Sequence, residues 1–126
     1  MVIDDIAQHI HNKSIAVLGL SLFKTYMPDD PDSCMAIIDT GGLEPSKEIV
    51  DIEQPTFQIF IRNTNYSTGK ALVDRLRDEF HGKSQIRLIP NGSFFFFIFL
   101  MSEGTSLGRD EKKRSLFSIN FRCMIR

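Results

Sequence analysis

The stretch NGSFFFFIFLMS, from Asn91 to Ser102, contains an unbroken apolar run that extends from Phe94 to Met101. The Asn-Gly pair at its start supplies the positive backbone φ angles of a tight turn, so the run is predicted to be the returning strand of a hairpin. Successive side chains of a strand point to opposite faces, so both faces of this strand are apolar. One face is expected to fill the protein's own core. The other is expected to meet either the chain's own helices or a second copy of the chain.

The run is a poor candidate for a membrane segment. As a helix it would rise only about 13 Å, which is well short of a bilayer core. As a strand it would need many partners of alternating polarity to close a barrel. No membrane partner is therefore expected.

The segments around the run predict further antiparallel strands. SQIRLI precedes the turn and places Ile86 and Leu88 on one face. After the run, SEGTSLGRDEKKRS is interpreted as a long polar hairpin loop, and LFSINFRCMIR as a final alternating strand. Hairpin connections make these three strands antiparallel.

The first half of the chain predicts one helix and two strands. Apolar residues recur at helical spacing from Val2, and the helix is expected to end near Asn12 or Lys13. SIAVLGLSLFKTYM is interpreted as an irregular or extended connector, PDDPDS as a turn, and CMAIIDT as a short strand. GLEPSKEIVDIEQ is expected to be a loop that is partly extended. PTFQIFIR alternates and predicts a half-buried strand.

From Asn65 the apolar spacing changes to that of a helix. Asn65 or Thr64 is a plausible N-cap, and Gly82 is a plausible residue just past the C-terminus. Gly69, in the first turns, costs the helix about 1 kcal/mol relative to alanine.

The predicted fold class is α+β, as a single domain over residues 1–126. It comprises a mostly antiparallel sheet of about four to five strands, two main helices packed on one face, and a long charged β-hairpin. Because helices cover one side only, the two-sided apolar strand either meets a partner or is covered by loops from the first half of the chain.

Composition and charge narrow the range of functions that the chain could have. The chain has 126 residues and a formal net charge of -1, which does not favour nucleic acid as a partner. Cys34 and Cys123 are expected to be free thiols in a reducing compartment, with no signal peptide before them. Asp29, Asp30 and Asp32 are interpreted as a solvated turn, because the other oxygens of a calcium loop are missing.

No catalytic residue, metal site or cofactor is predicted. The histidines do not form a metal site, and no nucleophilic triad or phosphate loop can be recognised. Asp39-Thr40-Gly41 matches the catalytic loop of retroviral-type aspartic peptidases, which work as dimers with two such aspartates. The Gly-rich flap that this chemistry requires is missing downstream, so the peptidase dimer is a disfavoured alternative. The expectation is that the protein is not an enzyme.

The mixed charges of RDEKKRS, Arg109 to Ser115, have two interpretations. One is a solvated hairpin tip. The other is a docking loop that forms salt bridges between subunits, since mixed signs suit protein–protein register better than binding to a uniform polyanion.

The chain resembles the small minor capsid or tail-completion proteins of long-tailed bacteriophages, including their tail terminators. The resemblance lies in AIIDTGGLEPSKEIVDIEQPTFQIFIRNTNYSTGKALVDRL and in SLGRDEKKRSLFSINFRCMIR. In the first, an Asp-Thr-Gly-Gly turn precedes a Pro-led strand that ends in Arg62, and the Tyr66 helix follows. In the second, the Leu107–Asp110 segment leads into the final strand.

The resemblance implies a hexameric ring that caps the tail tube and joins it to the head-side connector. The partners would be further copies of the chain, the tail tube protein and the connector protein. The protein would have no cofactor, and it would reside in the virion tail after assembly in the host cytoplasm. A head-side connector or adaptor of the same fold, in a phage or in another assembly, is the alternative. The residues predicted to contact subunits or the connector are Arg62, Tyr66, Phe95, Phe97, Glu103, Arg109, Asp110, Lys113 and Arg114.

Overall fold

The Phe-rich run begins the longest strand of a six-stranded sheet. The computed structural model describes residues 2–42 and 52–126. In chain order the elements are α1 (Val2–Asn12), β1 (Leu22–Lys24), β2 (Cys34–Asp39), β3 (Thr56–Asn63), α2 (Tyr66–Phe80), β4 (Ser84–Arg87), β5 (Phe94–Arg109) and β6 (Ser115–Ile125).

The strands lie in the order β1-β2-β3-β6-β5-β4. The β1–β2 pair is parallel and the other neighbouring pairs are antiparallel. The α+β class is confirmed, but the expectation of four to five strands is wrong in its count. The additional strand is β1, which forms within the segment interpreted as an irregular or extended connector, because its backbone pairs with β2.

Both helices bury their apolar sides in one core with the sheet. His9 of α1 lies 5.5 Å from Phe80 of α2, measured between ring centroids. On the sheet, the alternating residues Phe57, Ile59 and Ile61 of β3 are buried, as their period of two predicts. They stand opposite the final strand's inward residues, and Phe57 stacks on Phe121 at 5.2 Å.

The second helix begins and ends where the sequence predicts. The Asn65 side chain accepts a hydrogen bond from the Thr68 N–H at 3.0 Å, which is an N-cap. At the other end Gly82 has a φ of 84°, the left-handed conformation that glycine adopts without a side-chain clash.

The expectation of a long polar loop before the last strand is wrong. β5 continues through the polar segment as far as Arg109 and remains paired with β6, in a ladder interrupted by bulges. The turn is therefore short and runs from Asp110 to Arg114. Backbone pairing with β6 decides the conformation here, whatever the polarity of the side chains.

The segment interpreted as a partly extended loop, residues 42–54, falls mostly outside the described residues. Glu53, near its end, forms an antiparallel bridge with Ile125. Residues 43–51 lie outside the described part of the chain.

Candidate assembly surface

A bulge in the Phe-rich strand changes which of its side chains point into the core and which point to the outer face of the sheet. Phe95 is paired with Ile125 and is fully buried. The register shifts between Phe95 and Phe97, and the next fully buried side chain is Ile98. A bulge adds one residue to one strand, so it changes which side chains point inward. The inward side of the run therefore fills the core, as predicted.

The outer side of the run carries an aromatic stack capped by a cation. The rings of Phe97 and Phe99 are stacked, with 4.8 Å between their centroids. The Arg122 guanidinium of β6 lies 6.0 Å from the first ring centroid and 5.9 Å from the second. Contacts of this kind at exposed sites contribute about 0.5–1 kcal/mol each. Phe99 remains 37% exposed and Met101 52% exposed, so this stack leaves apolar surface open to a partner.

The second half of β5 is an exposed edge of the sheet. β4 pairs only with the Phe94–Phe97 part of β5, whereas β6 follows it to Arg109. Among the described residues, no strand pairs with the outer edge of β5 beyond Phe97. Every residue from Met101 to Arg109 is exposed. Such edges are templates for pairing with another chain unless they are covered or protected.

Helix α2 lies very close to this exposed part of β5. A Cβ placed on Gly104 would come within 2.2 Å of Val73 Cγ1, so only glycine fits between strand and helix. Beside it, Arg77 and Glu103 form an ion pair at 3.5 Å. The close approach fixes the position of the edge strand, which is a requirement of a rigid binding surface.

The β5–β6 turn is held by the buried side chain of Arg114. Its Nε donates to Asp110 Oδ2 at 2.7 Å, and its Nη2 donates to Asp29 Oδ1 at 2.9 Å. Its Nη1 donates to the carbonyl of Asp29 at 2.7 Å and to Asp32 Oδ1 at 3.2 Å. Lys112 forms a second ion pair with Asp29. The tip of the hairpin is therefore tied to the 28–33 loop.

The side chain of Arg62 is also buried, and it is hydrogen-bonded to the same loop. Its guanidinium donates to the carbonyl oxygens of Pro28 and Pro31, each at 2.6 Å, and of Asp32 at 3.1 Å. A planar guanidinium has five N–H donors, which suits it to collect several carbonyls of one loop.

These contacts shift the ionisation of the carboxylates. Hydrogen bonds from Lys112 and then from Arg114 lower the pKa of Asp29 to about 2. The Arg114 backbone N–H, and then its side chain, hold the pKa of Asp110 below its usual range. Both carboxylates favour the charged form because cations and N–H donors face them. We name this cluster of Asp29, Asp32, Asp110, Lys112 and Arg114 the hairpin latch.

The predicted interface residues divide into two groups. Phe95, Arg62 and Arg114 are buried within the chain itself, so the structure gives them internal roles in the core and in anchoring the 28–33 loop. The others are exposed or partly exposed, and their interface role stays a prediction: Tyr66, Phe97, Glu103, Arg109, Asp110 and Lys113.

Sequence reasoning missed the partners in the hairpin latch. The 28–33 segment was interpreted as a solvated turn, yet Asp29 and Asp32 bind Arg114 from the other end of the chain. A local sequence pattern cannot identify a partner more than eighty positions away. The only signal for this contact in the sequence was that one turn is acidic and another is basic.

The residues of the aspartic peptidase motif end a strand. Asp39 is exposed, and its Oδ1 accepts a hydrogen bond from the Gly41 N–H at 2.8 Å. Thr40 Oγ1 lies 2.5 Å from Thr56 Oγ1. Within the described residues, no group of three or more His, Cys, Asp or Glu side chains is placed to hold a metal ion. Among the residues that the structure describes, no helix is both long enough and apolar enough to cross a bilayer.

A fixed sheet edge, a part-exposed aromatic face and a tied hairpin are features of a subunit that packs against other protein surfaces. A family model described as bacteriophage tail terminator protein matches residues 9–126. The chain therefore belongs to the bacteriophage tail terminator family, and the resemblance noted in the sequence is confirmed. It is a structural protein of the phage tail and thus a component of the virion. No individually curated protein matches the chain.

Proposed function

We propose that copies of this chain form a closed ring, a hexamer, at the head-proximal end of the tail tube and join the tube to the head-side connector. The ring ends tube growth by covering the surface to which the next tube subunits would bind. The protein acts by binding and not by catalysis, and it uses no cofactor. It assembles in the host cytoplasm before becoming part of the virion.

The observation that supports this proposal most strongly is the family match, which includes the Phe-rich strand, the open edge of β5 and the hairpin latch. The open edge and the aromatic face provide contact surface between subunits. A ring needs contacts that join unlike surfaces of neighbouring copies and close after a fixed number of them.

The hairpin tip supports a contact with an adjoining ring. Arg109, Glu111 and Lys113 are exposed there and carry mixed charges. The hairpin latch holds the tip in one orientation before any partner binds, which reduces the entropy lost on binding. Mixed charges set register and partner choice more than they add affinity.

Tube assembly in vitro tests the proposal. Tail tube protein of the same phage is polymerised with and without this chain, and tube lengths are measured by electron microscopy. We expect shorter tubes that carry a ring at one end and no longer elongate. A chain that leaves tube length unchanged and never appears on tube ends would contradict the proposal.

Gold labelling of the chain on tails and on capsids, each purified before the two have joined, separates a tail terminator from a head-side adaptor. We expect the label on purified tails that have not met a head. Label on capsid connectors but never on free tails would favour the adaptor.

A further inference from the structure

We propose that His81 is a pH-sensitive cap on the outer edge of β5. Its neutral imidazole accepts the hydrogen bond of Leu100, the last position before the open part of the edge, and protonation of the ring releases this position. The inference concerns contacts within one chain, so it stands whether or not copies of the chain form a ring.

The turn between α2 and β4 lies along the outer edge of β5. At Ile98 the contacts are between backbone groups: its N–H donates to the carbonyl of Lys83 at 2.8 Å, and its carbonyl accepts from the N–H of Gly82 at 2.9 Å. Alternate residues of a strand direct their N–H groups to the same edge, so Leu100 is the next position. Its N–H donates to Nδ1 of His81 at 2.9 Å. Beyond it, no strand of the described part of the chain pairs with this edge.

The direction of this hydrogen bond determines the protonation state of His81. A backbone N–H only donates, so Nδ1 accepts with its lone pair and the ring proton lies on Nε2. An imidazolium has an N–H on both nitrogens and no acceptor, so protonation of Nδ1 breaks the bond to Leu100. The His81 side chain is exposed, so the charged ring can turn towards water while the turn stays folded.

The other two histidines show that this response belongs to particular contacts. His9 lies between two acceptors: Nε2 is 2.7 Å from Glu79 Oε1, and Nδ1 is 3.4 Å from the carbonyl oxygen of Leu88. A charged ring donates to both, so protonation of His9 leaves its contacts intact. His11 accepts from the N–H of Leu18 at 3.2 Å and thus binds the segment between α1 and β1. It is a matched position for a control, since its bond is also lost on protonation but does not involve β5.

The elements around His81 carry charged side chains of both signs. These are Arg77, Asp78 and Glu79 on α2, Lys83 after it, Glu103 on β5 and Arg122 on β6. Arg77 and Glu103 pair with each other at 3.5 Å. Arg122 lies over the ring of Phe99, whose centroid is 5.9 Å from that of the His81 ring. Among the described residues no carboxylate forms an ion pair with His81, so protonation adds no contact that would keep the ring beside Leu100.

Protonation of His81 moves the start of the open edge by one position. The N–H of Leu100 is then unpaired, and unpaired N–H groups on a strand edge are those to which a strand of another chain binds. The strand itself stays in place, because Leu100 packs against the core and pairs with Phe121 of β6. Acid therefore changes the hydrogen-bonding capacity of the edge and leaves the fold unchanged.

Amide exchange of the monomeric chain, followed by NMR, tests the cap. Protection factors, which correct for the intrinsic effect of pH on exchange, are measured at about pH 7.5 and about pH 5, on either side of the usual imidazole pKa of about 6.5. We expect the protection factor of Leu100 to fall about 2- to 10-fold in acid, the effect of losing one hydrogen bond, and that of Ile98 to stay unchanged. Nitrogen-15 shifts of His81 at the higher pH should place the proton on Nε2.

Variants separate the charge of the ring from its position. His81→Asn does not titrate, so its Leu100 protection factor should be the same at both pH values. His81→Phe keeps a ring but has no acceptor, so Leu100 should be weakly protected at both pH values. His11→Asn is the control, and its Leu100 should respond to acid as in the unaltered chain.

The cap would be overturned by a Leu100 protection factor that is the same at both pH values in the unaltered chain or in His11→Asn. A fall in acid in His81→Asn, strong protection in His81→Phe, or a proton on Nδ1 at the higher pH would overturn it as well. So would an equal fall at Ile98, because the whole strand would then be loosened by acid.

Discussion

Gly104 determines how closely α2 can lie on the edge strand. A Cβ at this position would come within 2.2 Å of Val73 Cγ1, and Val73 is a β-branched side chain on a helix with little freedom to move. We therefore predict that Gly104→Ala lowers the free energy of unfolding by about 1–3 kcal/mol, the usual cost of overpacking. Urea denaturation measures it. Ser102→Ala, at an exposed position of the same strand, should change the midpoint little, and an unchanged midpoint in Gly104→Ala would refute the close packing.

Asp29 makes the hairpin latch sensitive to acid. Hydrogen bonds from Lys112 and then Arg114 lower its pKa from 3.8 to about 2 in the folded protein. A carboxylate whose pKa is lowered on folding contributes stability above its unfolded pKa, and this contribution is lost as the pH falls towards the folded value. The window is therefore from about pH 4 down to about pH 2.

Asp29→Asn removes this contribution at every pH. We predict that the variant is less stable than the unaltered chain near neutral pH, and that the difference shrinks as the pH falls through that window. Urea midpoints of both proteins across the pH series measure the difference. Asp78→Asn, at an exposed position of α2, serves as the control. A difference that is constant with pH would mean that Asp29 is not ionically paired.

At the residue scale, two general rules fail in this protein: the low helix propensity of glycine and the tendency of charged side chains to be exposed. Gly69 was expected to cost the α2 helix stability, but a Cβ there would lie 2.4 Å from the Phe117 ring, so the glycine allows close packing. Arg62 and Arg114 carry full charges and yet are buried. Burial of a charge requires partners, and these came from a loop that is distant in sequence.

At the element scale, the two sides of β5 should respond differently to truncation. Phe95 is fully buried, so Phe95→Ala is predicted to cost about 3–5 kcal/mol of unfolding free energy. Phe99 is 37% exposed and packs on the rings of Phe97 and His81 and on one guanidinium, so Phe99→Ala is predicted to cost about 0.5–1.5 kcal/mol. Chemical denaturation compares the two. Equal costs would mean that the outer face is as buried as the core.

The hydrogen-exchange rates of the backbone amides should show that the second half of β5 is paired on one side only. Amides between Met101 and Arg109 that point to β6 are predicted to exchange slowly, and those on the outer edge to exchange rapidly in the monomer. The outer-edge amides should slow when the chain assembles on tail tubes. Uniformly rapid exchange in both states would instead support the polar loop that the sequence suggested.

Elements with strong local signals were predictable from sequence. The α2 helix has an Asn cap at its start and a glycine past its end, and the burial of β3 alternates from Phe57 to Ile61. Strand β1 and the second half of β5 were not predictable, because each is polar or irregular in pattern and depends on a neighbouring strand for its hydrogen bonds. The inward side of the Phe-rich run was predictable, but the bulge that redirects its side chains was not.

At the scale of the whole molecule, the account depends on apolar surface that one chain leaves open. The sequence indicated this surface through a strand that is apolar on both faces. The structure locates it on the outer face of β5 and beside β1. Which surfaces meet could not be inferred from sequence, because that depends on which residues the folded sheet leaves uncovered.

Native mass spectrometry of the purified chain over a concentration series, alone and with tail tubes, tests the central claim most directly. The account predicts one closed assembly with the mass of six copies, which appears as concentration rises or when tubes are added. A monomer at every concentration, with tubes present as well as absent, would contradict it. So would a continuous series of growing masses, because contacts that do not close produce filaments.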